Sequence, residues 1–254
     1  MKHSRTFGLI GRSLKHSFSE GYFTRKFEEE HITGCTYRLF ELSDIKEFET
    51  LIKTVPLAGL NVTIPYKEQV MTYLHKLDIS AEKVGAVNVI RFESNGQLTG
   101  FNSDYYGFKT SLENWLLHGN NGNQSISALI LGTGGASKAV SVVLKDLEIP
   151  YKLVSRSATE NTITYKDLNQ NPELVRDTGL IINTTPLGMY PQVDEYPDLP
   201  YNVVGKNHFF YDLVYNPETT LFMEKGFSRG ASVKNGLDML HLQAEKSWEI
   251  WSQA

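Results

Sequence analysis

The stretch from residue 126 to residue 137 constrains the fold more than any other. The apolar-rich run Ile126-Ser127-Ala128-Leu129-Ile130-Leu131 leads directly into Gly132-Thr133-Gly134-Gly135-Ala136-Ser137, and a helical pattern follows. A strand, a glycine turn and a helix start in that order form an anion site. The glycines let the backbone approach a pyrophosphate, and the first helical N–H groups and the helix dipole favour its charge. Ser137 stands where the dinucleotide fingerprint carries its last glycine, so the motif is incomplete. A tight strand-to-helix turn that binds nothing is the other reading of these residues.

The next strand, expected at 151–154, separates the cofactors. Sites for NAD usually place an acidic residue about 20 positions on, bonded to the ribose 2′-OH. Here Ser155-Arg156-Ser157 occupies that place. An arginine between two hydroxyls suits a 2′-phosphate, which favours NADP over NAD; a solvated surface arginine is the alternative.

Beyond residue 104, strands and helices alternate: strands at 126–131, 151–154, 180–183 and 209–214, and helices at 106–117 and 136–147. This argues for a parallel sheet covered by helices. The first half reads as strands at 7–11, 36–40, 59–64, 86–92 and 97–101, the last two flanking Asn95-Gly96, a strong hairpin signal. Helices are expected at 19–31, with Ser19 as cap, at 44–55, with Ser43 as cap, and at 68–74. The polar 118–124 stretch reads as a loop, 119–124 as a linker, and 237–251 as a final helix.

The 254 residues carry a net charge of −4, which weighs against a nucleic-acid partner. No segment approaches the roughly 18 apolar residues that span a bilayer, and no apolar leader follows the basic start. The single cysteine, Cys35, allows no intrachain disulfide and reads as a small packed residue. A cytoplasmic protein with a small-molecule partner, and with neither membrane nor nucleic acid as partner, is the expectation.

The first half holds more polar groups than core strands need: His16-Ser17-Phe18-Ser19, Asn61-Val62-Thr63-Ile64-Pro65-Tyr66-Lys67, Gly85-Ala86-Val87-Asn88 and Gly100-Phe101-Asn102-Ser103-Asp104. Asn61 and Thr63 are two apart and share one strand face. Lys67 and Asp104 form a candidate acid/base pair, in which the lysine donates to a developing alkoxide and the aspartate orients it. A surface lysine and a helix-capping aspartate are the bland alternative.

Read together, these segments resemble the shikimate dehydrogenase family over nearly the whole chain. Gly59-Leu60-Asn61-Val62-Thr63-Ile64-Pro65-Tyr66-Lys67 is similar to its most characteristic motif. In the family's order follow Gly85–Asn88, Gly100–Asp104, the glycine loop, Tyr211-Asp212-Leu213-Val214-Tyr215-Asn216-Pro217 and Asn235-Gly236-Leu237-Asp238-Met239-Leu240. The resemblance implies an α/β fold: an N-terminal α/β substrate domain (1–104 with 237–254) and a Rossmann-like dinucleotide-binding domain (105–236), with a cleft between them. It implies NADPH-dependent reduction of 3-dehydroshikimate to shikimate, on the route to aromatic amino acids, with Lys67 and Asp104 as the catalytic pair.

By the same resemblance, Ser17, Ser19 and Tyr215 hold the substrate carboxylate, and Asn61, Thr63, Asn88 and Gln243 hold ring hydroxyls. Gln243 lies on the last helix, so that helix is expected to fold back on the first domain. Gly132, Gly134, Gly135 and Ala136 meet the pyrophosphate; Ser155, Arg156 and Ser157 meet the adenosine phosphate; Thr184 and Met239 lie near the ribose and nicotinamide. No metal is implied, and either a monomer or a homodimer is compatible. The chain departs from the family at Glu20 (usually proline), Val89 and Ser103 (usually threonine), Ser155-Arg156-Ser157 (usually Asn-Arg-Thr) and Asp238 (often glycine). A quinate/shikimate dehydrogenase with relaxed cofactor use, or a non-catalytic ligand sensor, are the alternatives.

Overall fold

The computed structural model describes residues 5–15, 17–119 and 126–253. His16, and the expected linker apart from Gly119, lie outside them. The chain divides into two compact units, Met1–Ser103 with Gln243–Ala254, and Asp104–Leu242. These bounds lie one residue from the sequence-based division at 104/105 and six residues from that at 236/237, inside the last helix.

The first unit contains β1 (Arg5–Gly11), α1 (Phe18–Glu29), β2 (Cys35–Glu41), α2 (Glu47–Thr54), β3 (Leu57–Val62), β4 (Lys76–Leu77), α3 (Ile79–Val84), β5 (Val89–Phe92) and β6 (Leu98–Phe101). Its described strands form one sheet in the order β2-β1-β3-β5-β6-β4. β1 runs parallel to β2 and β3, and β5 antiparallel to β3 and β6. The β5–β6 hairpin turns through Gly96, whose φ of 80° suits the Asn-Gly turn.

The sheet is apolar on both faces because helices cover both, and the pleat sorts the side chains. Ile10, Leu60 and Val62 join Phe48 and Tyr66 on one side; Phe7, Leu9 and Tyr37 join Phe23 and Trp251 on the other. Phe23 stacks on Tyr37 at 4.7 Å and Phe7 on Trp251 at 4.9 Å.

The second unit contains α4 (Ser103–Gly119, from Asp104 onward), β7 (Ala128–Leu131), α5 (Gly135–Asp146), β8 (Tyr151–Ser155), β9 (Thr162–Thr164), α6 (Tyr165–Gln170) and α7 (Glu173–Arg176). It continues with β10 (Leu180–Asn183), β11 (Phe209–Asp212), α8 (Leu221–Phe227), β12 (Ser232–Lys234) and α9 (Leu237–Ser252), the last of these as far as Leu242. Its described strands form a parallel sheet in the order β12-β11-β10-β7-β8-β9. Chain order reverses direction at β7, the switch point of a doubly wound sheet.

Several local expectations are corrected. Ser17, not Ser19, caps α1: its side chain accepts the Ser19 N–H at 3.2 Å. No side chain caps α2, which starts at Glu47 rather than Asp44, because residues 44–46 form a turn in which Lys46 N–H binds Asp44 Oδ1. Segment 69–73 is a 3₁₀ turn. α4 begins at Ser103, so Asp104 lies in its first turn and is not its cap, and the helix runs through Gly119 instead of ending before a loop at 118. Short apolar-poor elements such as β4, β9 and β12 escaped the periodicity reading.

Candidate active site

In the first unit, α9 and β3 are matched in spacing. Four residues along a helix advance about 6 Å, and two along a strand nearly 7 Å. Gln243, Ser247 and Trp251 share one face of α9; Gly59 and Asn61 share one face of β3. Trp251 covers Gly59 so closely that a Cβ there would lie 2.4 Å from the indole, and its Nε1–H donates to Ile90 O at 3.1 Å. One turn earlier, Asn61 Nδ2 donates to Ser247 Oγ at 3.0 Å. The last helix thus returns to the first unit, as the position of Gln243 implied.

Asn61 is held on three sides. Its second Nδ2–H donates to Asn88 O at 3.2 Å, and Tyr37 Oη donates to Asn61 Oδ1 at 2.8 Å. Tyr37 also bonds the Ser19 side chain, and its burial holds the phenol well above its ordinary pKa. Asn88 is buried: Ser103 N–H donates to its Oδ1 at 2.6 Å, and its Nδ2 donates to Ser103 Oγ at 3.1 Å and to Gln243 Oε1 at 3.5 Å. Ser103 Oγ and Ser247 Oγ are 3.3 Å apart. One polar chain therefore joins Ser19, Asn61, Asn88 and Gln243.

Thr63 continues the β3 ladder with its N–H on Ile10 O at 2.9 Å. Lys67 is half-buried, and Val87 N–H donates to its carbonyl at 2.8 Å, which ties the lysine segment to the turn before Asn88. Tyr66, beside it, is anchored by its hydroxyl on Leu42 O at 2.5 Å. Ser17 and Ser19 are half-buried at the start of α1.

In the second unit, the expected residues gather at the carboxyl ends of four neighbouring strands: Tyr215 after β11, Thr184 after β10, the glycine loop after β7 and Ser155–Ser157 at the end of β8. Ligands of open α/β sheets bind there. Gly132 is a packing glycine. Its φ is 107°, and a Cβ would lie 2.9 Å from Thr184 Oγ1 and from Thr185 Cγ2. Gly134 and Gly135 differ: a Cβ on either meets no atom within 4 Å, and Gly134 caps α5 at φ −80°. Neither protein packing nor backbone geometry explains a glycine there. Ala136 is exposed at the start of α5, and buried Ser137 closes the turn with its Oγ on Gly134 O at 2.6 Å.

Arg156 is exposed just past β8, between Ser155 and Ser157. Thr184 Oγ1 donates to Leu131 O at 2.7 Å. The adjoining loop rests on buried Asp212, which accepts from Asn183 Nδ2 (2.9 Å), Val214 N–H (3.0 Å) and Thr220 Oγ1 (2.6 Å); Asn183 Oδ1 in turn accepts from Thr185 N–H and Oγ1. Burial pushes the Asp212 carboxyl up to about 6, although these three bonds pull it down. Asp104 is buried in the first turn of α4, where a carboxylate is favoured by the helix dipole. Tyr215 is half-buried, and burial raises its pKa.

Met239 is buried in the first turn of α9. Its neighbour Asp238 accepts from Ser111 Oγ at 2.8 Å and from Lys234 Nζ at 3.0 Å. Burial opposes its ionisation, but those donors outweigh burial and hold it below the usual carboxylate range. The carboxylate that departs from the family's glycine is thus neutralised locally. Tyr37 and Ser247 are not among the residues the sequence singles out; the spacing of Ser247 four residues after Gln243 is the one signal in the sequence that could have found it.

A doubly wound parallel unit with a glycine loop at its switch point, joined to a second α/β unit rich in fixed carboxamides, defines a dinucleotide-dependent class of protein. Residues 9–90 match the model of the shikimate dehydrogenase substrate binding domain. The chain is 39% identical to the shikimate dehydrogenase (NADP(+)) of Clostridium beijerinckii, over 97% of this chain and 92% of the relative. The crystal structure of shikimate dehydrogenase 1 from Peptoclostridium difficile is 37% identical, with a TM-score of 0.80 and coverage of 98% and 92%. The enzyme of Thermus thermophilus in complex with NADP(H) and shikimate is 25% identical, with a TM-score of 0.81 and coverage of 98% and 94%. The chain belongs to the shikimate dehydrogenase family.

Proposed function

We propose that this protein is a shikimate dehydrogenase that reduces the ketone of 3-dehydroshikimate to the hydroxyl of shikimate with NADPH, reversibly. The observation that carries the reading is the fixed set of carboxamides, Asn61 and Asn88 with Gln243, tied through the backbone to the Lys67 segment. A polyol ring needs several polar groups held in place beforehand, and a site built for hydroxyls rejects analogues that lack them. Relatives named as NADP(+)-dependent enzymes support the same activity.

Bound NADPH supplies the hydride. Lys67 donates a proton to the carbonyl oxygen as negative charge develops on it, and Asp104 orients the lysine and the substrate hydroxyl. Ser17, Ser19 and Tyr215 take the carboxylate; Asn61, Thr63, Asn88 and Gln243 take the ring hydroxyls. Residues 1–104 with 237–254 serve the substrate and 105–236 the cofactor. Gly132 shapes the turn, and Gly134, Gly135 and Ala136 hold the pyrophosphate. The open space over Gly134 and Gly135 supports a ligand rather than packing. Ser155, Arg156 and Ser157 take the 2′-phosphate; Thr184 and Met239 border the ribose and nicotinamide. The enzyme works in the cytoplasm, as a monomer or homodimer, on free small molecules.

A crossed steady-state assay of shikimate and quinate with NADP and NAD tests the proposal. The expected result is a kcat/KM highest for shikimate with NADP. A preference for quinate with NAD would assign the chain to the quinate branch, and no turnover with any pair would make it a sensor.

A further inference from the structure

Hydrogen counting settles the direction of the polar chain in the first unit. Ser247 has one hydroxyl proton, and it goes to Gln243 O, 2.8 Å away on the preceding turn of α9. Its lone pairs are left to accept, one from Asn61 Nδ2 at 3.0 Å and one from Ser103, 3.3 Å away. Ser103 Oγ is then the donor to Ser247 and accepts from Asn88 Nδ2 at 3.1 Å. The order is Asn88 to Ser103 to Ser247 to the Gln243 carbonyl, with Asn61 entering at Ser247.

Both N–H groups of Asn61 are consumed, on Ser247 Oγ and Asn88 O, and Tyr37 takes one lone pair of its Oδ1. What Asn61 has left is an acceptor. In Asn88, Oδ1 accepts from Ser103 N–H at 2.6 Å and one Nδ2 hydrogen goes to Ser103 Oγ, while the second meets Gln243 Oε1 only at 3.5 Å. What Asn88 has left is that long-bonded donor and one lone pair of Oδ1. A carboxamide rotated by half a turn would swap these roles; the Ser103 N–H forbids it in Asn88, and in Asn61 the Asn88 carbonyl forbids it together with two side chains, Ser247 and Tyr37. Ser247 is 1% exposed, so water does not replace it, and Tyr37 is clamped by its ring against Phe23.

We propose that Ser247 and Tyr37 are positioning residues that fix the donor and acceptor polarity of Asn61, and so help determine which pattern of ring hydroxyls the site accepts. The proposal rests on the reading of Asn61 as a substrate residue. Removing either hydroxyl takes away one of the three partners that hold the Asn61 carboxamide, which loosens it, weakens substrate binding and blurs discrimination without touching proton transfer or the cofactor.

The test compares Ser247→Ala, Tyr37→Phe, the double variant and Asn61→Ala, each assayed with shikimate and with quinate. KM and the ratio of the two kcat/KM values do not depend on how much of a variant is folded. The single variants are expected to raise the shikimate KM roughly fivefold, the worth of one hydrogen bond, and to lower the shikimate-to-quinate ratio. The NADP KM and the pH profile of kcat should stay unchanged. The double variant should show less than the product of the single effects, because both act on one carboxamide. Ser247→Thr, which keeps the hydroxyl and its bond to the preceding turn, should restore the substrate ratio. If Asn61→Ala raises KM while Ser247→Ala and Tyr37→Phe leave KM and ratio unchanged, the positioning role is overturned and the substrate reading stands. If Asn61→Ala also has no effect, both fall together.

Discussion

Lys67 and Arg156 show how differently two basic residues are placed. Lys67 is half-buried behind an anchored Tyr66, with its carbonyl tied to Val87; Arg156 is exposed at a strand end between two hydroxyls. Proton donation belongs to the transition state, so Lys67→Ala should lower kcat by roughly 10²- to 10⁴-fold and leave the substrate KM within a few-fold. Near-normal kcat would remove the lysine from the chemistry. In the proposed function, Arg156 acts on a phosphate that only one cofactor carries. Arg156→Ala should raise the NADPH KM by roughly tenfold or more and barely alter that for NADH. Equal losses with both would mean the arginine does not read the phosphate.

At the scale of elements, the legible parts of the sequence were those where a physical pattern is local. The strand 128–131, the glycine turn and α5 are contiguous, and Asn95-Gly96 announces its hairpin by itself. The pairing of α9 with β3 joins residues nearly 190 positions apart, so periodicity revealed the helix, and only the resemblance assigned it a neighbour. The hydroxyls of Tyr37 and Ser247 were hidden for the same reason: a buried serine reads as filler until its partners are known. Asp104 as a cap failed because helix onset depends on Ser103, whose N–H is taken by Asn88.

Two glycines, one at each kind of junction, make this testable. Gly59→Ala drives a methyl into a rigid indole held by Ile90 O, and should destabilise the protein by about 1–3 kcal/mol in thermal or denaturant unfolding. Gly134→Ala meets no protein atom, so its melting temperature should hold or rise slightly, while the NADPH KM climbs. A Gly134→Ala protein that is unstable but binds NADPH normally would show that the glycine serves packing.

For the molecule as a whole, stability should carry the imprint of Asp212. Its carboxyl is buried under the loop that borders the glycine turn, and the native state holds its pKa near 6, above the ordinary range near 4. The native state then binds the proton more tightly than the unfolded chain. Between about pH 4 and pH 6 the folded protein holds more protons, so this group's contribution is present in full below pH 4 and is lost as the pH rises through 6. The difference between about 6 and the ordinary value near 4 corresponds to roughly 3 kcal/mol. Asp212→Asn keeps the oxygen that accepts from Asn183 and Val214, and it removes the titration. The substitution carries a fixed offset from the altered bond to Thr220, so the informative quantity is the change with pH. The stability of Asp212→Asn minus that of the unsubstituted protein should rise from pH 4 to pH 6 and level off above. Urea unfolding at a series of pH values measures it; a flat difference would mean that the three donors already hold Asp212 ionised at no cost. Because Asn183 links Asp212 to Thr185, which packs on Gly132, the NADPH KM should stay level with pH in Asp212→Asn wherever protonation of Asp212 would otherwise disturb that loop.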